Sequence, residues 1–473
     1  MAEGVAVGAG KSAGAGSSAP NAATEWAHNS IARATTVPLT LRFYHDSGDR
    51  RAFVIALASP PAVVYVEAGR LFDGVSWTAQ EDVVLVIEDD RVVQIAPRAK
   101  LAPPAGARVI DLRGKTVLPG LIDCHVHLDA RQDHDDDIWS MRDTTLDAAF
   151  LAVRNAGRVL RAGFTTVRDV GSPAFLAVDL RDRIEEGIIE GPRIVASGPM
   201  ITITGGHGDL NGFPPTMHDS EGGDSSNEGV IDGPNAMRVE VRRQIKHGVD
   251  VIKIAASGGV FSRGDTPGAQ QLTAEEMGIA VEIAHLAGRK VAAHAHGTKA
   301  IIAAVNAGVD SIEHGSFLDD EAIRAMKAHG TWLDADIYNG EYTAANGAAN
   351  HVPEEFMRKD AAVTDIQRAS FRAAVKAGVK ISFGTDAGVY PQGDGAKQFS
   401  WMVREGMTPA AAIRSATTDA AELLGRADVG SLAPGKRADL IAIDGDPLKD
   451  VRLLEHVSFV MKGGAVIARP GEK

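Results

Sequence analysis

A chain of 473 residues can bury a large core and accommodates one big domain with additions, or two to three domains. Its 44% hydrophobic and 23% charged content is ordinary for a soluble protein, and a formal charge of −13 argues against a nucleic-acid partner. Cys124 is the only cysteine, which excludes an intrachain disulfide, and no apolar run reaches the ~20 residues that span a bilayer.

Residues 1–63 read as a disordered leader or linker. Met1 to Pro20 is rich in Ala, Gly and Ser and has too little apolar surface to fold. Arg50-Arg51 and the apolar run 52–62 have the texture of a signal peptide, about 50 residues beyond the usual place. The expectation is a cytoplasmic protein, with a periplasmic or secreted one as the alternative if the true start lies further along.

From Val64 the texture becomes β-rich, with runs separated by Gly, Pro and Asp turns, and the same texture returns near the C-terminus. Residues 64–117 and 430–473 are therefore expected to meet as one small β-sandwich domain built from both chain ends. Between them, 118–429 alternates short apolar runs with amphipathic stretches. Eight strands are expected, at 120–127, 164–170, 193–198, 250–257, 290–296, 310–315, 331–336 and 380–386. The helical run 145–163 ends in Gly163, and Thr273 to Glu276 has capping-box spacing before another helix. Eight such β/α units predict an α/β fold, a (β/α)8 TIM-type barrel.

Several of these strands end in a good metal ligand, and a barrel brings its C-terminal strand ends to one mouth. His125 and His127 are two residues apart, so both imidazoles fall on one face of a strand and suit an ion such as Zn2+. Lys253 sits in the apolar run VIKIAA, where an unpaired ammonium costs several kcal/mol. It either snorkels or pairs with an acid, or reacts with CO2 to give a carbamate that bridges two cations. His294, His314 and Asp386 each have an ordinary structural explanation when taken singly. Their coincidence on strands that share one mouth does not. The acidic block 134–137 reads as a solvated loop, and Glu313 is expected to alternate to the outside of its strand.

The segments LPGLIDCHVH (118–127), VIKIAASGG (251–259), HAHG (294–297), SIEHGS (311–316) and GTDAG (384–388) resemble the strand-end motifs of the amidohydrolase superfamily, in its binuclear, carboxylated-lysine subtype. The doubled histidine of HAHGT and the GGHGD loop (205–209) make the chain similar to the group of Xaa-Pro dipeptidases, Xaa-Arg and Xaa-Lys carboxypeptidases and ochratoxinase-type amidases. That resemblance implies two divalent ions, Zn2+ foremost, and N6-carboxylysine at Lys253 formed from CO2 or bicarbonate. It implies that His125, His127 and Asp386 hold the more buried ion, that His294 and His314 hold the more exposed one, and that Lys253 bridges them. His207 and His296 become candidates for contacting the substrate and stabilising the oxyanion, Asp386 for moving the proton, and Arg263 and Tyr338 for binding a substrate carboxylate. The implied substrate is a small molecule with a free carboxylate, a dipeptide or N-acyl amino acid, hydrolysed by a homo-oligomer, often an octamer. A water between two cations ionises near neutral pH, so no serine nucleophile is required, and no GxSxG occurs outside the Ala/Gly/Ser-rich leader. The rival readings are a cyclic amidase, lactonase or imidazolonepropionase-like hydrolase on the same barrel and, more remotely, a scaffold without activity.

Overall fold

The computed structural model describes residues 63–131, 142–212 and 228–468, together with two short strands nearer the start. The chain divides into two compact units, Met1–Pro61 and Ala62–Lys473. In the first, β1 (Thr40–Leu41) pairs antiparallel with β2 (Ile55–Ala56). The acidic block 134–137 lies outside the described residues, as does the leader apart from these two strands and Val63.

Alternation of buried and half-buried residues begins in β3 (Val63–Leu71), where Val64, Val66 and Ala68 turn inward. It pairs with β4 (Gln80–Glu88), which pairs with β5 (Arg91–Pro97), while β6 (Arg108–Pro119) runs parallel to β3 on its other side. From the far end of the chain, β15 (Leu440–Ile443) adds antiparallel to β6, followed by β16 (Phe459–Lys462) and β17 (Ala465–Ala468). The two chain ends meet as expected, but their strands form one seven-stranded sheet where a sandwich of two sheets was anticipated. The reason is the double pairing of β6, parallel to β3 and antiparallel to β15, which knits both ends into a single ladder. Leu85, Ile87, Leu440, Phe459 and Met461 belong to a core of its own.

All eight expected parallel strands are present: β7 (Leu121–Val126), β8 (Phe164–Asp169), β9 (Arg193–Ala196), β10 (Val251–Ala255), β11 (Lys290–Ala295), β12 (Ser311–His314), β13 (Trp332–Asp334) and β14 (Ile381–Ser382). Strands β7 to β9 form one parallel sheet and β10 to β14 another. Parallel bridges join the two at both seams, Ile201 to Ile254 and Val126 to Ala387. The Ile201 amide donates to the Lys253 carbonyl at 2.9 Å, and the Cys124 amide to the Phe383 carbonyl at 2.7 Å. This is the continuity an α/β barrel requires.

Helices follow the strands. The first, α1 (Thr145–Arg161), carries a capping box at Thr144, and Gly163 just beyond it takes a φ of 101°. After β8 and β9 come α2 (Leu176–Glu185) and α3 (Pro234–Lys246), then α4 (Ala274–Leu286) with the expected capping box at Thr273 and Glu276. Next are α5 (Thr298–Ala307), α6 (Asp320–His329), α7 (Asn339–Asn346) and the 24-residue α8 (Glu354–Ala377). Among the described residues no helix is long and apolar enough to cross a membrane.

A charged layer fills the space among the strands beneath their C-terminal ends. Arg168 on β8 is 2% exposed and donates to both Glu313 oxygens at 2.9 and 3.0 Å and to Ser311 Oγ at 2.9 Å. Glu313 thus points inward, against the expectation that it would alternate to the outside. His314, the last residue of β12, has a left-handed φ of 71°, which breaks the period-two pattern and leaves Glu313 in an interior position.

Candidate metal centre

The expected ligands converge above this layer. His125 Nε2 and His127 Nε2 each lie 3.4 Å from Asp386 Oδ1, and Lys253 Nζ lies 3.5 Å from His125 Nε2. His294 is 4.6 Å from His314 between ring centroids, and His314 is 5.1 Å from His125. Ligand atoms within 4.8 Å of one another define two groups here, His125–His314–Asp386 and His294–His296–His314. A third group, His125–Glu313–Asp334, is occupied electrostatically by Arg168.

Hydrogen bonds behind the rings fix which nitrogen faces the centre. His127 Nδ1 bonds the Gly171 carbonyl at 3.1 Å and His314 Nδ1 bonds Asp336 Oδ1 at 2.9 Å, which turns each Nε2 inward. His125 Nδ1 lies 3.1 Å from Glu313 Oε2. His294 is reversed: its Nε2 bonds the Gly258 carbonyl at 3.2 Å, so Nδ1 carries the available lone pair.

Two of the converging groups sit on strained backbone. His314 and Asp386 have φ values of 71° and 53°, a region that costs a side-chain-bearing residue of order 1 kcal/mol or more. A buried network holds them there. Asp336 accepts from His314, from Gln367 Nε2 at 2.8 Å and from Asn339 Nδ2 at 2.6 Å; Asn339 also reaches Asp386 Oδ2 at 3.3 Å. Gln367 further donates to the His314 carbonyl at 3.3 Å.

Burial dominates the electrostatics and keeps most imidazoles unprotonated. It pushes His294 and His296 well below the ordinary histidine range and His125 and His207 down to about 4. His127 and His314 are the exceptions: burial opposes their charge, but the Asp386 carboxylate raises His127 to about 9 and the Asp336 carboxylate raises His314. Lys253 is 1% exposed, and desolvation pushes its ammonium down, toward the neutral amine. Among the described residues no carboxylate stands within ion-pair distance of it. Imidazoles, one carboxylate and a buried amine form an N/O donor set suited to a borderline divalent ion such as zinc. The residues fit a divalent metal ion.

A cavity of about 410 Å³ opens over the centre, walled by all six candidate ligands and by His207 and His296. His207 stacks on His294 at 4.0 Å, its Nδ1 2.9 Å from Ser262 Oγ, which donates to Asp265 Oδ1 at 2.7 Å. Gly259 makes room for it, because a Cβ there would stand 2.0 Å from the His207 ring. His296 Nδ1 bonds Ser316 Oγ at 2.7 Å. Arg263 and Tyr338 are not brought to this wall. The Arg263 guanidinium lies 5.7 Å from the centre of the Phe356 ring, and Tyr338 packs edge-on against Tyr390 at 5.0 Å. Loop position alone had suggested them, and loop position does not fix direction.

The decisive comparison is with the Amidohydrolase family, whose model matches residues 116–467. The chain belongs to the amidohydrolase family. It is 34% identical over 441 residues to the ochratoxinase of Aspergillus niger, covering 89% of this chain and 90% of the relative. An imidazolonepropionase of Geobacillus kaustophilus is 27% identical over 427 residues, covering 86% and 92%. Among solved structures, a Xaa-Pro dipeptidase with methionine bound in its active site superposes with a TM-score of 0.80 at 39% identity, covering 85% of this chain and 99% of that one. The ochratoxinase crystal structure gives 0.79 at 30% identity, covering 88% and 98%. This amidohydrolase therefore shares the α/β TIM-type fold of its relatives and is a hydrolase.

Asp336, Asn339 and Gln367 were not anticipated, nor were Ser262 and Asp265. The only signal for Asp336 was an acid at the end of the apolar strand TWLDAD. Two of its three partners, His314 and Gln367, lie 22 and 31 residues away along the chain.

Proposed function

We propose that the protein is a metal-dependent amide hydrolase that removes a C-terminal amino acid from dipeptides or N-acyl amino acids. Lys253 carries the reading: a buried amine with no carboxylate within ion-pair distance among the described residues, beside ligand-ready imidazoles, suits reaction with CO2 to a carbamate. In this proposal His125, His127 and Asp386 would hold one divalent ion, His294 and His314 the other, and carboxylated Lys253 would lie between them. When bound, such a pair lowers the pKa of water toward 7 and polarises a carbonyl. The residues do the rest. Asp386 Oδ2 takes the water proton and returns it to the leaving nitrogen, while His296, its Nδ1 accepting from Ser316 Oγ, donates from Nε2 to the carbonyl oxygen as it gains charge and His207 contacts the substrate beside it.

Support for the substrate class comes from the relatives, whose names speak of ochratoxin and of Xaa-Pro dipeptides. A structure described as a prolidase with N-methylphosphonate-L-proline, 32% identical at a TM-score of 0.78, adds to it. The reading extends to zinc as the metal, to a barrel over 118–429 with its β-rich companion from 64–117 and 430–473, and to a homo-oligomer. The likeness to imidazolonepropionase favours a second reading, hydrolysis of a ring amide. A screen of dipeptides, N-acyl amino acids and ring lactams against zinc-loaded protein, with Lys253→Ala as control, separates the two. Turnover of open-chain amides alone is expected; turnover of lactams alone would overturn the first reading.

A further inference from the structure

Helix α8 presents one stripe to the cavity: Asp360, Val363, Thr364 and Gln367, spaced as i, i+3, i+4 and i+7. Gln367, at the inner end, clamps Asp336 and the His314 carbonyl. Asp360 lies two turns nearer the helix N-terminus, about 10 Å along the axis.

The acids of this cavity are differently committed. Asp386 belongs to the candidate ligand set, and Asp336 accepts from three donors. Asp360 is 8% exposed and has no cation within ion-pair distance among the described residues. Its cationic neighbours on the helix are engaged elsewhere. Lys359 is tied to Asp265 at 2.9 Å and to the Ser262 carbonyl at 2.6 Å, and the Arg368 guanidinium lies 3.8 Å from the centre of the Trp401 ring. Burial, aided by Asp336, pushes the Asp360 carboxyl up to about 6 against a hydrogen bond from Thr364 and the charge of Arg368, which leaves it mainly ionised at neutral pH with no ion-pair partner among the described residues.

We propose that Asp360 receives a cationic group on the acyl part of the substrate, so that the enzyme favours dipeptides bearing an ammonium over neutral N-acyl amino acids. The idea rests on the metal-dependent amidase reading above and narrows it. The donor is either the α-ammonium next to the scissile carbonyl or the end of a basic side chain. Both offer N–H donors to a desolvated carboxylate, a contact worth a tenfold or greater preference.

Equilibrium binding of hydroxamates to the zinc-loaded protein tests this without turnover. The probes are hexanohydroxamate, norleucine hydroxamate, 6-aminohexanohydroxamate and lysine hydroxamate, which carry no ammonium, the α, the distal, and both. At least one ammonium-bearing probe is expected to bind ten or more times tighter than hexanohydroxamate, and the ratio should collapse toward one in Asp360→Asn and persist in Asp360→Glu. Which probe gains identifies the donor. Equal binding by all four, or a ratio unchanged in Asp360→Asn, overturns the role of Asp360 and leaves the metal centre standing. Failure of every probe to bind overturns the metal-centre reading and this proposal together. The wild-type ratios alone decide the matter if the variants do not fold.

Discussion

Replacing Arg168 by methionine is expected to destabilise the protein without touching any proposed ligand. The guanidinium is 2% exposed and makes two bonds to Glu313, one to Ser311 Oγ and one to the Cys124 carbonyl, with Asp334 Oδ2 3.6 Å away. Methionine keeps much of the volume and none of the donors, so Glu313 is left as a buried carboxylate without its counter-charge. Breaking such a pair from one side costs about 3–5 kcal/mol, whereas replacing both partners by apolar groups is often near neutral. Urea denaturation of metal-free protein should show the single variant losing that amount, and Arg168→Met combined with Glu313→Leu recovering at least about 2 kcal/mol of it. The pH dependence adds a second check. In the wild type, burial works to raise the Glu313 pKa, but Arg168 and His125 hold it well below the usual carboxylate range. Without Arg168 its folded pKa rises above the unfolded value, so the penalty is largest at high pH and fades as pH falls through that raised pKa. A loss below about 1 kcal/mol, or one that is equal at pH 5 and pH 8, would refute the view that this pair supports the floor of the site.

Three further outcomes follow from the same geometry. Asp336→Asn breaks the carboxylate that orients His314 and, through Asn339, reaches Asp386; metal affinity measured by competition with a chelator should fall by roughly 10–100-fold, and full occupancy at wild-type affinity would count against it. Gly259→Ala puts a methyl 2.0 Å from the His207 ring, so kcat/KM should drop by about 100-fold while metal content holds, and unchanged kinetics would remove His207 from the mechanism. Asp360 titrates near 6 in the fold and about 3.9 when unfolded, so the folded state binds the extra proton between those values. Metal-free wild type should therefore match Asp360→Asn near pH 4 and fall behind it by up to about 3 kcal/mol as pH rises past 6; a gap independent of pH would show that the carboxyl is not desolvated.

Much of this was legible in the sequence because the candidate ligands lie at the ends of regular elements. Period-two alternation places His125 and His127 together, and apolar runs ending in His294, His314 and Asp386 mark strands whose tips must meet once eight parallel strands close. Lys253 stood out because its neighbours are apolar on both sides. The supporting shell was not legible. Arg168 meets Glu313 across 145 residues, and Ser262, Asp265 and Lys359 meet through loop conformation that no periodicity encodes. Glu313 was misplaced because the left-handed turn at His314 is a tertiary strain, held by Gln367 and Asp336, with no local signature beyond the glycine that follows. Arg263 and Tyr338 sit in the anticipated loops and face other side chains.

Crystals grown with zinc and bicarbonate, examined at the zinc absorption edge, provide the most direct test. Two anomalous peaks are expected within about 2.0–2.2 Å of the inward imidazole nitrogens, with planar density extending from Lys253 Nζ to both. A bare Lys253 amine with no peak among His125, His127, His294, His314 and Asp386 would contradict the account at its root.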